Sequence, residues 1–219
     1  MENTIYLDIE TLPTRRQDII DRIAADIQPP ASIKKPETLV RWEETERPGA
    51  IKKAVEKTSF DPAAGQICTI AWAVGGGEIV AAHDETGEGE ALVLQSFFDA
   101  VFQSRASQFV GHYISGFDLR FILCRAVVLG VSIPSLIPRD PKPWEKTVFD
   151  TMVAWSGSRG TISLDNLCQA LGIEGKGDVD GSMVAGLWEA GEHEAIIEYC
   201  KDDVAKVRAI HKRFQAVGF

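Results

Sequence analysis

The order of its segments constrains this chain most: three β-prone runs come first, and only then does an alternation of helix and strand begin. Thr4–Ile9, TIYLDI, sets Thr4, Tyr6 and Asp8 against Ile5, Leu7 and Ile9, the two-residue period of a strand. The following ETLPT, with Pro13 and two hydroxyl residues, predicts a turn. Gln66–Val74, QICTIAWAV, is a second strand and Glu78–His83 a third, joined tightly by Gly75-Gly76-Gly77 as a hairpin. Glu90–Phe102 then carries Ala91, Leu94, Phe97, Phe98 and Val101 at helical spacing. Gln108–Val110 is a brief strand running into Gly111. Phe117–Leu129 reads as a buried helix with Leu119, Ile122, Leu123 and Val127 on its apolar side. A proline-rich loop (Pro134 to Pro143) and the segment VFDTMVAW lead to a helix near Leu164–Leu171, with Ser163 as N-cap. After a glycine-rich loop, Gly172–Gly181, a last helix runs from about His193 to Gln215. This order predicts an α/β fold in which helices flank a mixed central sheet.

At 219 residues the chain suits a single domain, 1–219, and residues 15–60 read as an insertion between the first two strands. That stretch shows no strand pattern and carries Pro29-Pro30, Pro36 and Pro48; Leu39–Trp42 and Ala50–Lys57 are candidates for short helices. No apolar run approaches the roughly 20 residues that cross a bilayer. Met1 to Asn3 carries no positive charge and Ile5 to Ile9 is too short for a signal core, so no membrane partner and a cytoplasmic location are expected. Cys68, Cys124, Cys168 and Cys200 lie far apart among apolar neighbours, as buried free thiols do rather than zinc ligands. A net charge of −9 argues against binding nucleic acid by blanket attraction. It leaves room for an enzyme whose acids hold cations that then meet phosphate.

The acids suggest that arrangement. Asp8 and Glu10 are two apart at a strand end, so both face the same way. Two carboxylates about 5 Å apart repel by roughly 3 kcal/mol at an effective dielectric near 20, a penalty that a divalent ion removes. Tyr199 and Asp203 are four apart on the last helix and share a face, near the side carrying Ile196, Cys200, Val204, Val207 and Phe214. Asp118 opens a helix after a glycine-broken loop, where the helix dipole favours a carboxylate. Each signal has a bland counterpart: a solvated strand end, a surface ion pair, an N-cap. The GIEGKGDVDGS segment matches neither a phosphate-binding loop nor a calcium-binding loop, and its Lys176 reads as a solvated loop residue. His112 reads as a satisfied, half-buried histidine.

Taken in order, LDIET, GFDLRF and YCKDDV resemble the three motifs of the DEDD superfamily of 3′–5′ exonucleases, whose fold is ribonuclease H-like. Tyr199 precedes Asp203 by four residues, as in the tyrosine-type branch, while Glu198 stands where the histidine type has its histidine. TSFDPAAGQICTIAWAV, FDTM, SLDNLCQALGI and GKGDVDGSMV are similar to stand-alone exonucleases related to the proofreading domain of family B DNA polymerases. A polymerase domain is not expected within these 219 residues. Tyr113 departs from the pattern, standing where the second motif carries asparagine; this bears on substrate contacts more than on metal binding.

The resemblance implies two Mg²⁺ or Mn²⁺ ions held by Asp8, Glu10, Asp118 and Asp203, with Asp8 between them and Tyr199 positioning the attacking water. Oxygen ligands suit these ions, and a pair about 4 Å apart stabilises both the attacking and the leaving oxygen. Thr11 and Leu12 would contact the terminal nucleotide. Phe117 joins them as a substrate-contact candidate, although its neighbours also suit the core. Asp150 and Asp165 suit structural roles such as helix capping. The implied activity is removal of nucleoside monophosphates from the 3′ end of DNA, single-stranded by preference, in proofreading or repair. An RNA exonuclease and a non-catalytic nucleic-acid-binding domain are the alternatives; a polymerase or helicase partner is not legible.

Overall fold

The computed structural model describes residues 3–142, 145–175, 177 and 179–219, so Lys176 and the Pro143 end of the proline-rich loop lie outside the described residues. The chain forms two compact units, one of Met1–Glu10 with Ile67–Phe219 and one of Thr11–Gln66.

The first strand, β1 (Thr4–Leu12), runs three residues beyond Ile9 into the expected turn, its last two residues counting with the smaller unit. The β-branched Thr11 and apolar Leu12 keep the chain extended, and it leaves the strand only at Pro13, which has no N–H to donate. β2 (Gln66–Val74) and β3 (Ile79–His83) form the expected antiparallel hairpin, with Ala73 opposite Ile79. Between them Gly75 has φ 55° and the Gly77 N–H donates to the Val74 carbonyl at 2.9 Å. β4 (Gln108–Gly111) and β5 (Val148–Asp150) complete a five-stranded sheet in the order β3-β2-β1-β4-β5. β1 and β4 are parallel with Tyr6 opposite Val110, and β4 and β5 are parallel with Gly111 opposite Asp150. The sheet is therefore mixed, with β1 at its centre.

A central strand is covered on both faces, and β1 shows it. Ile5, Leu7 and Ile9 enter a core with Leu94, Phe97, Phe98, Leu119, Phe121 and Ile122. Tyr6 points the other way, among Ala71, Ala73, Val110, Cys200, Val204 and Val207. The first core is roofed by α4 (Glu90–Ser104) and α5 (Asp118–Leu129). On α5 the buried stripe holds Leu119, Ile122 and Leu123 as expected, with Phe121 and Ala126, but Val127 is 75% exposed. Its place inside is taken by Arg125, which pairs with the buried Glu90 at 2.6 Å. The second core lies beneath α9 (His193–Ala216), which matches the predicted closing helix. α6 (Thr151–Ser156) follows β5 directly, with the Asp150 carboxylate accepting from the Met152 and Val153 N–H groups. α7 (Leu164–Leu171) is capped by Ser163, and α8 (Val184–Glu189) precedes α9.

The smaller unit is helical: α1 (Gln17–Asp26), α2 (Pro36–Thr45), α3 (Arg47–Glu56) and a 3-10 turn at Lys57–Phe60. The two helix fragments expected here belong to α2 and α3. Pro36 and Pro48, met in the sequence as breakers, stand in the first turns of those helices, where a missing N–H costs nothing. α1 went unpredicted because its Arg16 N-cap provides no side-chain cap and it buries little beyond Ile19. No described helix is long and apolar enough to cross a membrane.

Candidate active site

Side-chain period carries β1 from core to carboxylates. Asp8 and Glu10 follow Tyr6 on the face beneath α9, one and two repeats further along. α9 is anchored there by Cys200, fully buried, whose thiol donates to the Asp8 carbonyl at 3.4 Å and lies 3.5 Å from Asp8 Oδ2. At about 100° per residue, Tyr199 and Asp203 sit about 40° apart on one flank of Cys200. Docking this cysteine on β1 therefore delivers both side chains to the same side. Asp118 arrives by topology: β4 lies beside β1 and runs parallel to it, so the loop after β4 leaves at the edge where β1 also ends. Open α/β sheets gather ligand sites at such carboxyl ends.

The four carboxylates sense one another. Burial pushes Asp8 well above the usual carboxylate range, and the charges of Asp118, Glu10 and Asp203 push further. Glu10, 8% exposed, is raised by burial and then by Asp203 and Asp118. Burial lifts Asp118 to about 7, with Asp150 and Asp203 adding to the rise, while its own and the Ile9 backbone N–H groups hold it back. Asp203 is also raised by burial, against the pull of Lys206, whose Nζ donates to Asp203 Oδ1 at 3.1 Å and reaches Asp202 at 2.7 Å. Tyr199 pairs with Asp203, and burial together with Asp203, Glu10 and Asp8 drives its phenol far above the usual range. Among the described residues no lysine or arginine pairs with Asp8, Glu10 or Asp118. Only Asp203 of the four has a lysine beside it, and a largely buried set of mutually repelling oxygens with that single counter-charge fits hard divalent cations. Ligand atoms of Asp8, Glu10 and Cys200 all lie within 4.8 Å of one another.

Two neighbours of this cluster escaped the sequence reading. The sequence places Cys200 in the core, and it lies there, yet it also touches Asp8; its place inside the YCKDDV segment is the signal for that contact. Lys206 is only 4% exposed and was not singled out, although its spacing of three and four from Asp203 and Asp202 is that of helical ion pairs.

Of the substrate-contact candidates, Phe117 is the N-cap residue of α5 and packs its ring 5.3 Å from that of Phe121, partly buried against the first core. Thr11 and Leu12 belong to the smaller unit, where the Thr11 hydroxyl donates to the Ser59 carbonyl at 2.8 Å and Leu12 is buried. His112 has both ring nitrogens occupied, Nδ1 by the Thr151 hydroxyl and Nε2 by the Ile162 carbonyl, each at 2.9 Å. Asp150 has a structural role, and Asp165 sits in the first turn of α7 behind its Ser163 cap.

Comparison with known proteins bears on the family and the fold. Residues 63–218 match a family described as predicted 3′–5′ exonucleases related to the exonuclease domain of PolB. Among solved structures, the family B DNA polymerase from the hyperthermophilic archaeon Pyrobaculum calidifontis superposes with a TM-score of 0.63 at 16% identity. The match covers 97% of this chain and 24% of that polymerase, so the chain spans about a quarter of its length. The fold is thus ribonuclease H-like, as expected. No curated protein matches the chain significantly in sequence.

Proposed function

The chain belongs to the family of predicted 3′–5′ exonucleases related to the exonuclease domain of PolB, and from that premise we propose that it hydrolyses the 3′-terminal phosphodiester bond of single-stranded DNA with two Mg²⁺ or Mn²⁺ ions. The observation that carries this is the convergence of Asp8, Glu10, Asp118 and Asp203: the charges of Asp118, Glu10 and Asp203 act on Asp8, those of Asp203 and Asp118 on Glu10, and that of Asp203 on Asp118. These four, the acids that the three motifs share with the family, would hold the ions. When bound, the ions neutralise the phosphate and make water a stronger acid.

The protein's own groups place the water. With its pKa driven up by burial and by the carboxylates, Tyr199 stays protonated at neutral pH and is no general base. Its hydroxyl donates a hydrogen bond to Asp203, which leaves the phenolic oxygen free to accept from water and to turn a water lone pair toward phosphorus. The new P–O bond forms as an O–H bond of water and the bond to the 3′ oxygen break; water's proton leaves to solvent and the 3′ oxygen takes one up, releasing a nucleoside monophosphate and a strand with a fresh 3′-hydroxyl. The test is digestion of matched 5′-labelled single-stranded DNA and RNA with Mg²⁺ or Mn²⁺. A ladder shortening from the 3′ end is expected, faster on DNA, and abolished by EDTA and by Asp8→Ala. Faster loss of RNA reassigns the substrate. Intact strands with folded, metal-loaded protein reject the nuclease in favour of a binding domain.

A further inference from the structure

We infer that Tyr113 is a stacking platform for a base of the bound strand, an inference that rests on the proposed nuclease reading and names a contact within it. Among the described residues only Arg105 and Tyr113 combine a side chain with positive φ, at 50° and 59°. Arg105 merely closes α4 as its C-cap. Tyr113 ends no helix, and a bulky residue held in this left-handed conformation is disfavoured, the kind of local strain that persists only where surrounding contacts impose it. Those contacts are present. Asp150 accepts from the Tyr113 N–H at 3.0 Å and from the Ser115 N–H at 3.1 Å, and the Gly116 and Phe117 N–H groups donate to the Tyr113 carbonyl.

The outcome is an aromatic ring displayed rather than buried. Tyr113 is 48% exposed, and the ring lies over the bare backbone of Gly116, where a Cβ would fall 2.3 Å from its Cε2. The loop that presents it joins β4, which ends at Gly111, to α5, which opens at Asp118, so it leaves the sheet at the edge where the neighbouring parallel strand β1 also ends with its carboxylates. An uncharged aromatic face suits this place. Phosphate is repelled by the acids unless cations intervene, and a chain of net charge −9 has little general attraction for a strand. A base has no charge and presents a π-face whatever its identity, so stacking adds affinity without sequence preference.

The experiment compares Tyr113→Phe, Tyr113→Ala and Tyr113→Asn on 5′-labelled single strands ending in a normal or an abasic 3′ nucleotide. Tyr113→Ala and Tyr113→Asn are expected to raise KM by about fivefold or more, the lower end of aromatic stacking on a base, with kcat within about twofold. Tyr113→Phe should behave as wild type. Wild type should favour the normal end over the abasic one, and the Ala and Asn variants should lose that preference while melting no lower, since asparagine tolerates positive φ. Unchanged KM in Tyr113→Ala, or a Tyr113→Phe as weak as Tyr113→Ala, overturns the platform. If wild type leaves every strand intact, the nuclease reading is what fails. Fluorescence anisotropy of a labelled oligonucleotide then decides the platform alone: unchanged affinity on Tyr113→Ala in the Asp8→Ala background overturns it, and loss restored by Tyr113→Phe supports it.

Discussion

Tyr199 is surrounded by three carboxylates, and that environment decides what its hydroxyl can do. Burial and the charges of Asp203, Glu10 and Asp8 all oppose ionisation, so in the proposed reaction its contribution would be direction rather than basicity. Removing the hydroxyl in Tyr199→Phe is therefore expected to lower kcat by about 10²-fold, the lower range for one positioned group. Mn²⁺ affinity, read by calorimetry, should change little because the carboxylates remain. Equal losses in kcat and in Mn²⁺ affinity would instead make Tyr199 part of the ion site. The sequence already displayed the residues that matter here, because a spacing of four on a helix is a local property. It concealed Lys206, since a lysine three residues from an aspartate is usually solvated, and only packing beneath α9 makes this one 4% exposed.

Elements were legible where period and caps agreed. The β2–β3 hairpin, α7 behind Ser163 and α9 all follow from alternation, a hydroxyl cap or a long apolar stripe. The end of β1 was hidden by the turn residues around Pro13, and α1 by its missing side-chain cap and scant burial, whereas the inward turn of Arg125 is settled by a partner 35 residues away, Glu90. Arg125 shows the energetic side. Its Nε and a terminal nitrogen donate to the two oxygens of Glu90 at 2.8 and 2.6 Å, and Glu90 also accepts from the Ile67 N–H at 2.8 Å. This carboxylate joins α4, α5 and the start of β2. Arg125→Met leaves it buried and unpaired, which costs about 3–5 kcal/mol. Urea unfolding should show that loss; a midpoint shift worth under about 1 kcal/mol would mean that Glu90 finds water or another partner.

At the scale of the whole molecule, the carboxylate cluster links folding to protons and cations. An acid whose pKa is higher folded than unfolded binds more protons in the folded state, so its contribution is present at low pH and is lost as pH rises. For Asp118 that window runs from 3.8 to about 7, and Asp8, Glu10 and Asp203 shift in the same direction. In EDTA the melting temperature should accordingly fall between about pH 4 and pH 7. At pH 7, Mn²⁺ at a hundred times its Kd should return about 2.7 kcal/mol per site, and Asp8→Ala should respond much less. A melting temperature flat with pH in EDTA and indifferent to Mn²⁺ would contradict the cluster's role. What the sequence determined by itself is what short range controls: the order of strands and helices, and the periods that put Asp8 beside Glu10 and Tyr199 beside Asp203. Only the tertiary structure decided that these pairs and Asp118 meet. That depends on the parallel pairing of β1 with β4 and on Cys200 seating α9 against Asp8 from 192 residues away. The same holds for the left-handed turn at Tyr113, because burial, mutual repulsion and imposed strain arise between segments that no local pattern connects.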